Sequence, residues 1–281
     1  MASKKAPAST ELDILRINQG RLTCYIRGTT PLIYNAMSEK VRRGLLLPRK
    51  LTVAERAARP KHVPIDEYRS SVYTHRAPET LLAFPSVALK RALASAAIDI
   101  GGAKRTQVDR LVWAVGERVP IWGAPMLRMD VVRSADQNKT PDIRTRAILP
   151  EWACKLTLAF VKPTINETVV GNLLSAAGLI RGIGDFRQEK GAGNYGQFEL
   201  VADDDPEWQR IAKEGGRQAQ EAAIATPLCY DDETQGLYDW AVSEISRRGQ
   251  AVAASPSAKR SKRSKNGNGA ANGAADRTLE Q

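Results

Sequence analysis

The run Arg181-Gly-Ile-Gly-Asp-Phe-Arg-Gln-Glu-Lys-Gly-Ala-Gly-Asn-Tyr-Gly-Gln-Phe-Glu199 places five glycines, Gly182, Gly184, Gly191, Gly193 and Gly196, around the cations Arg187 and Lys190. Glycine accepts positive φ and lets a backbone approach a phosphate closely, with its N–H groups donating to the anion. A Gly-x-Gly-x-x-Gly occurs from Gly191 to Gly196. A dinucleotide fingerprint leaves a strand and opens a helix, however, whereas this run leaves a helix and opens a strand. It also lacks the Gly-Lys-Ser/Thr ending of a P-loop. The chemistry it suits is a grip on an anionic backbone. With no ligand, the same run is a glycine-rich lead-in to a hairpin with two exposed charges.

Groups for catalysis are sparser. A nuclease needs clustered carboxylates for metal ions, or a histidine acid–base pair. Asp203, Asp204 and Asp205 precede Pro206 and an amphipathic stretch, where acidic residues complement a helix dipole. Asp231, Asp232 and Glu233 have the same account. Asp185, inside the glycine run, is expected to order the loop through backbone N–H groups or Arg187. His62 and His75 have no identifiable serine or cysteine partner, and a metal-independent ribonuclease would need one of them beside a phosphate. Cys24, Cys154 and Cys229 are far apart and suggest reduced thiols in a cytoplasmic protein, with no zinc-ligand spacing. The expectation is a protein with no catalytic residue, metal, cofactor or small-molecule substrate. Trp113, Trp122, Trp152, Trp208 and Trp240 suit core and edge packing.

The elements that must position the glycine run follow from periodicity. Arg21 to Arg27 alternates as a strand, with Leu22, Cys24 and Ile26 on one face. Ser86 is the expected N-cap of a helix striped by Val87, Leu89, Ala92, Leu93 and Ala96, which Gly101-Gly102 ends. Val108, Leu111, Val112 and Val115 suggest a second helix. Met126 to Val132 and Lys155 to Val161 read as strands. Asn166 or Thr168 caps a helix carrying Val169, Val170, Leu173, Leu174 and Leu179, and Tyr195 to Val201 is the last strand. The predicted fold class is α+β: a ferredoxin-like, RRM-type βαββαβ core with long insertions, a glycine-rich loop before the last strand and appended C-terminal helices. Those later helices, about 206–223 and 233–247, are expected to pack on the core.

The net charge is +11, of which residues 1–250 carry +7, so the basic character does not belong to the tail alone. A lysine and arginine surplus favours phosphate binding through counterion release. Residues 1–10 and 251–281 are too poor in bulky apolar groups to order and are read as disordered tails around a single domain, 11–250. The insertion 35–83 carries Arg42, Arg43, Arg49 and Lys50 and is either a solvated excursion or a basic arm, with Tyr68, Tyr73 and His75 available to stack on bases. The link 133–149 carries Arg133, Lys139, Arg144 and Arg146 and suits a mobile hairpin. No apolar run in the sequence is long enough for a membrane span, and Met1 to Thr10, with lysines but no apolar stretch behind them, is not expected to act as a secretory signal.

A helix, then Gly-Ile-Gly, a short basic stretch, Gly-x-Gly-x-x-Gly-x-Phe and a strand resembles the glycine-rich loop of the RAMP superfamily, the RNA-binding subunits of CRISPR effector complexes. Ile26-Arg-Gly-Thr-Thr-Pro-Leu-Ile33 is similar to the first strand of the backbone-forming members. Phe84-Pro-Ser-Val-Ala-Leu-Lys-Arg-Ala-Leu93 resembles their Ile-Pro-Gly-Ser-Ser-Leu-Lys-Gly-x-Leu segment, with Ser86 and Val87 replacing its glycine and serine. The whole chain looks most like a phage and prophage family sharing Gly-Asp-(Trp/Phe)-Arg-x-Glu-Lys-Gly and Tyr-Gly-x-Phe. The resemblance implies subunits that stack side by side as a homo-oligomeric filament along a single strand of RNA or DNA. The implied contacts are Lys90 and Arg91 at the helix start, Arg187 and Lys190 in the loop, Arg42, Arg43, Arg49 and Lys50 in the arm, and Arg144 and Arg146 in the hairpin. Some members cut RNA with an aspartate in an early loop; Gly28 to Met37 contains none. A guide-RNA backbone subunit and a non-catalytic interaction protein on the same fold are the alternative readings.

Overall fold

The computed structural model describes residues 16–46, 61–133, 138–189 and 193–254. In chain order its elements are β1 (Asn18–Gly28), β2 (Leu32–Ile33), α1 (Glu39–Leu46), α2 (Pro64–Ser70), β3 (Tyr73–Thr74), β4 (Leu82–Pro85), α3 (Ser86–Ile100), α4 (Arg105–Leu111) and β5 (Val112–Ala114). They continue with β6 (Arg118–Trp122), β7 (Met126–Arg133), β8 (Pro141–Leu149), β9 (Ala153–Lys162), α5 (Glu167–Ala176), a π-turn over Ala177–Arg181, β10 (Phe198–Val201), α6 (Pro206–Glu214), α7 (Arg217–Ala225) and α8 (Asp232–Ala254). Residues 1–10, residues 255–281 of the predicted tail 251–281, and Arg49, Lys50, Lys190 and Gly191 lie outside the described residues, while 251–254 continue α8 instead of beginning a disordered tail.

β1 pairs antiparallel with β9 along almost its whole length and with β10 on its other edge. β5 and then β6 pair with the far edge of β9, and β4 and β3 extend the sheet beyond β6. The order β10–β1–β9–β5/β6, with α3 and α4 before β5 and α5 before β10, is the split βαβ arrangement of an α+β fold. Alternation along β1 and β9 turns Cys24, Ile26, Leu156, Leu158 and Phe160 toward one face, where Leu89, Leu93 and Ala96 of α3 and Val170, Leu173 and Leu174 of α5 bury them. Each of the Leu, Ile, Val and Phe side chains among these contributes roughly 1.5–3 kcal/mol of transfer free energy. Asn166 caps α5, its side chain accepting from Val169 N at 2.9 Å.

Beside this sheet lies a three-stranded one, β2–β8–β7, whose hairpin runs in register from Met126 opposite Ile148 to Arg133 opposite Pro141. The strand at 126–132 therefore belongs to this second sheet, and the core's second strand is β5 with β6. The predicted second helix stops at Leu111, because Val112 and Trp113 complete the edge of β9 instead. The link 133–149, expected as a mobile hairpin, is largely strand β8, which pairs along its length with β7. Ser86 does not cap α3; Pro85 occupies that position, and the Ser86 hydroxyl donates to Glu117 O at 3.0 Å.

The appended helices pack as expected. Trp208 and Ile211 of α6 close one end of the sheet's outer face over Tyr25 and Trp122. Gln220 of α7 is buried, its amide donating to Ile121 O, Gly123 O and Gly215 O while its oxygen accepts from Leu81 N and Leu82 N. Asp205 and Asp231 cap their helices by accepting from Trp208 N and Thr234 N. Among the described residues no helix is long and apolar enough to cross a membrane.

Candidate nucleic-acid interface

The β1–β2 turn, the glycine run and the hairpin meet at one edge of the molecule. Gly28 lies against the Trp152 indole, whose N–H donates to Thr30 O at 2.9 Å. Thr30 Oγ1 accepts from Gln197 N at 2.9 Å, and Gly196 N donates to Pro31 O at 2.8 Å. The two conspicuous stretches 26–33 and 195–198 are thus one interlocked unit.

The glycines serve the winding of this unit. Gly182, Gly184 and Gly196 all have positive φ. At Gly184, φ +93°, a Cβ would come within 2.6 Å of Leu32 Cδ1 and 2.8 Å of Ile33 O. Gly193 packs against the carbonyl and ring of Phe186, leaving no room for a side chain. The amides of Gly182, Ile183, Asp185 and Gly196 all donate to carbonyls within the protein. The expected cradle of free N–H groups is to that extent used up by the fold itself.

The charged residues sort into two groups. Arg146 is only 5% exposed and belongs to the interior, not to the exposed hairpin contacts expected of it. Its guanidinium donates to Asp185 Oδ2 at 2.6 Å and to Asp130 Oδ2 at 2.7 Å, so desolvation of the cation is offset by two carboxylates. Asn35 donates to the same Asp185 oxygen at 2.8 Å. Asp185 therefore orders the loop as expected, but through Arg146 and Asn35. Arg187 is also spent internally, on Gly184 O at 2.8 Å and Glu189 at 3.2 Å. Ser95 of α3 donates to the other Glu189 oxygen at 2.8 Å. Burial pushes the Glu189 carboxyl up, but the hydrogen bonds from Ser95 and Arg187 outweigh it and hold the group below its ordinary range.

Arg133, Lys139 and Arg144 form the other group, exposed on the hairpin and without an ion-pair partner among the described residues. Arg91 is exposed on α3, one turn before Ser95 and hence on the face that meets the loop. Lys90 points elsewhere, 4.0 Å from Asp109. Arg42 and Arg43 are exposed on α1, which leaves from Asn35 beside the loop; Arg43 pairs with Glu39 at 2.6 Å.

Of the residues proposed for base stacking, Tyr68 is fully buried, with its hydroxyl donating to Pro125 O and Ala223 O. Tyr73 packs against Tyr34 and Phe84, and His75 pairs with Thr80 at 2.7 Å. His62 sits between Glu67 at 2.7 Å and Asp142 at 3.1 Å. The residues that sequence reasoning missed are planar ones on the loop and hairpin. Arg128 donates to the Tyr195 hydroxyl at 2.7 Å and lies 5.0 Å from the Tyr195 ring and 5.3 Å from that of Tyr230. Phe186 is 5.9 Å from Tyr195, 45% exposed and held at φ +53°. A bulky residue in that region costs about 1–3 kcal/mol of strain. The signal for Tyr195 was its place in Tyr-Gly-x-Phe, and for Arg128 its alternation with Asp130 on one strand face.

No family model matches the chain, and no curated protein matches it. Among solved structures, a chain of a CRISPR RNA-guided surveillance complex is similar over 82% of this chain and 85% of its own length, at 14% identity and a TM-score of 0.26. At that level of superposition the fold assignment rests on the strand order of this chain alone.

Proposed function

We propose that the protein binds single-stranded nucleic acid through its phosphate backbone, without reading sequence, along the edge where the hairpin β7–β8 meets the glycine-rich loop. The observation that carries this reading is the division of cations there. Arg128, Arg146 and Arg187 are occupied inside the protein, whereas Arg133, Lys139 and Arg144 are exposed without ion-pair partners among the described residues. A purely structural surface gains little from three unpaired charges on one hairpin, while each would release a counterion on meeting a phosphate. The loop, anchored by Arg146, fixes the root of the hairpin that carries these exposed cations. Protomers stacking side by side on that strand, and binding without cleavage, complete the reading, which the motif resemblance supports.

Fluorescence anisotropy of equal-length single-stranded RNA, single-stranded DNA and duplex, across a salt series, tests it. Tight binding to single strands that weakens steeply with salt is expected. Absence of binding at low salt would overturn it. A defined RNA co-purifying with the protein would specify a guide strand as the ligand.

A further inference from the structure

Four planar groups follow one another at this edge: the Tyr230 ring, the Arg128 guanidinium, the Tyr195 ring and the Phe186 ring, with successive separations of 5.3, 5.0 and 5.9 Å. The column is fixed from several sides. Asp130 holds the other side of the Arg128 guanidinium at 2.7 Å, and the Tyr195 hydroxyl accepts from it. The residues flanking Phe186 are anchored too: Asp185 to Arg146, Asn35 and Ile33 O, and Arg187 to Gly184 O and Glu189. Phe186 alone is presented outward, 45% exposed, in a left-handed backbone conformation that asparagine or glycine would adopt with less strain. Gly193 lies against its ring and carbonyl, so the loop accommodates the ring at the expense of a side chain there.

The geometry points to Phe186 as the open end of this column, on which one unpaired base of a bound single strand stacks. The inference rests on the single-strand reading above and deepens it, adding a base contact that is insensitive to sequence because every base presents a π-face. Arg128 and Tyr195 are positioning residues that hold the column behind the ring.

The test compares wild type with Phe186→Asn and Phe186→Tyr, using the full chain and short single strands carrying one aminopurine. Phe186→Asn relieves the backbone and removes the ring. It should leave the fold at least as stable to heat, weaken binding roughly tenfold, and abolish the quenching of aminopurine fluorescence that stacking causes. The slope of log affinity against log salt should not change, because the cations that meet phosphates are untouched. Phe186→Tyr should retain both affinity and quenching. If wild type binds single strands and Phe186→Asn binds equally well, the stacking assignment is wrong while the single-strand reading stands. If wild type binds no single strand, both fall. If Phe186→Asn loses self-association in the absence of nucleic acid and binding falls only as a consequence, the ring is a protein contact and the assignment is overturned.

Discussion

Arg146 and Asp185, 39 residues apart in the chain, meet at 2.6 Å and join the root of the β7–β8 hairpin to the glycine-rich loop. Removing the buried cation leaves Asp130 with Arg128 and Asp185 with Asn35 as their remaining side-chain partners, and takes away the one cation that the two carboxylates share. Arg146→Met should therefore cost about 3–5 kcal/mol, seen as a lower midpoint in chemical denaturation. Asp185→Asn, at a partly exposed position that keeps its hydrogen-bonding shape, should cost less than Arg146→Met. An Arg146→Met protein as stable as wild type would show that the pair does not anchor the loop.

Two glycines with positive φ separate backbone strain from crowding. Gly101, φ +68°, has open space where a Cβ would go, whereas Gly184 is hemmed in by Leu32 and Ile33. Gly101→Ala should cost about 1–2 kcal/mol from φ alone. Gly184→Ala adds overpacking against a carbonyl and should cost roughly twice as much in the same denaturation experiment. Equal costs would mean that the loop yields freely at β2.

The Glu189 carboxylate is held below its ordinary range when folded, so its charged form stabilises the loop's attachment to α3. That contribution is complete above the unfolded value of about 4.3 and is lost as pH falls through the lower folded value. Hydrogen exchange at the Ile183 and Asp185 amides should therefore accelerate more between about pH 5 and pH 3 in wild type than in Glu189→Gln, after correction for intrinsic rates. Parallel profiles in the two proteins would remove Glu189 from the anchor.

Burial pushes the Cys24 thiol up to about 11 and raises that of Cys154 as well. At about pH 8 the thiolate fraction at Cys24 is on the order of 0.1%. Alkylation of the native protein should reach the half-buried Cys229 first, with Cys24 and Cys154 reacting only on unfolding; peptide mapping reads the order.

Much of the core was legible in sequence because β1, α3, β9 and α5 each show an uninterrupted apolar period. Val112 to Val115 was not, because four apolar-rich residues after a helix fit a continued helical stripe as well as an edge strand. Only pairing to Phe160, Ala159 and Leu158 decides between them. Met126 to Val132 has true strand alternation, but alternation does not say which sheet a strand joins. At the site, the glycines and Arg187 were visible as residue types, while their partners lie far away in sequence. Nothing local distinguishes Arg146, buried on two carboxylates, from Arg144, two residues earlier and exposed. That division between structural and free cations is a property of the folded edge alone.

The most direct test of that division is the salt dependence of single-strand binding by the full chain, compared with Arg133→Gln/Lys139→Gln/Arg144→Gln. Each cation removed from a single-strand phosphate lowers the slope of log affinity against log salt by about 0.7. The triple variant should therefore show weaker binding and a slope shallower by roughly 2, with unchanged thermal stability. An unchanged slope, with wild-type affinity at every salt concentration, would contradict the placement of the nucleic-acid interface on this hairpin.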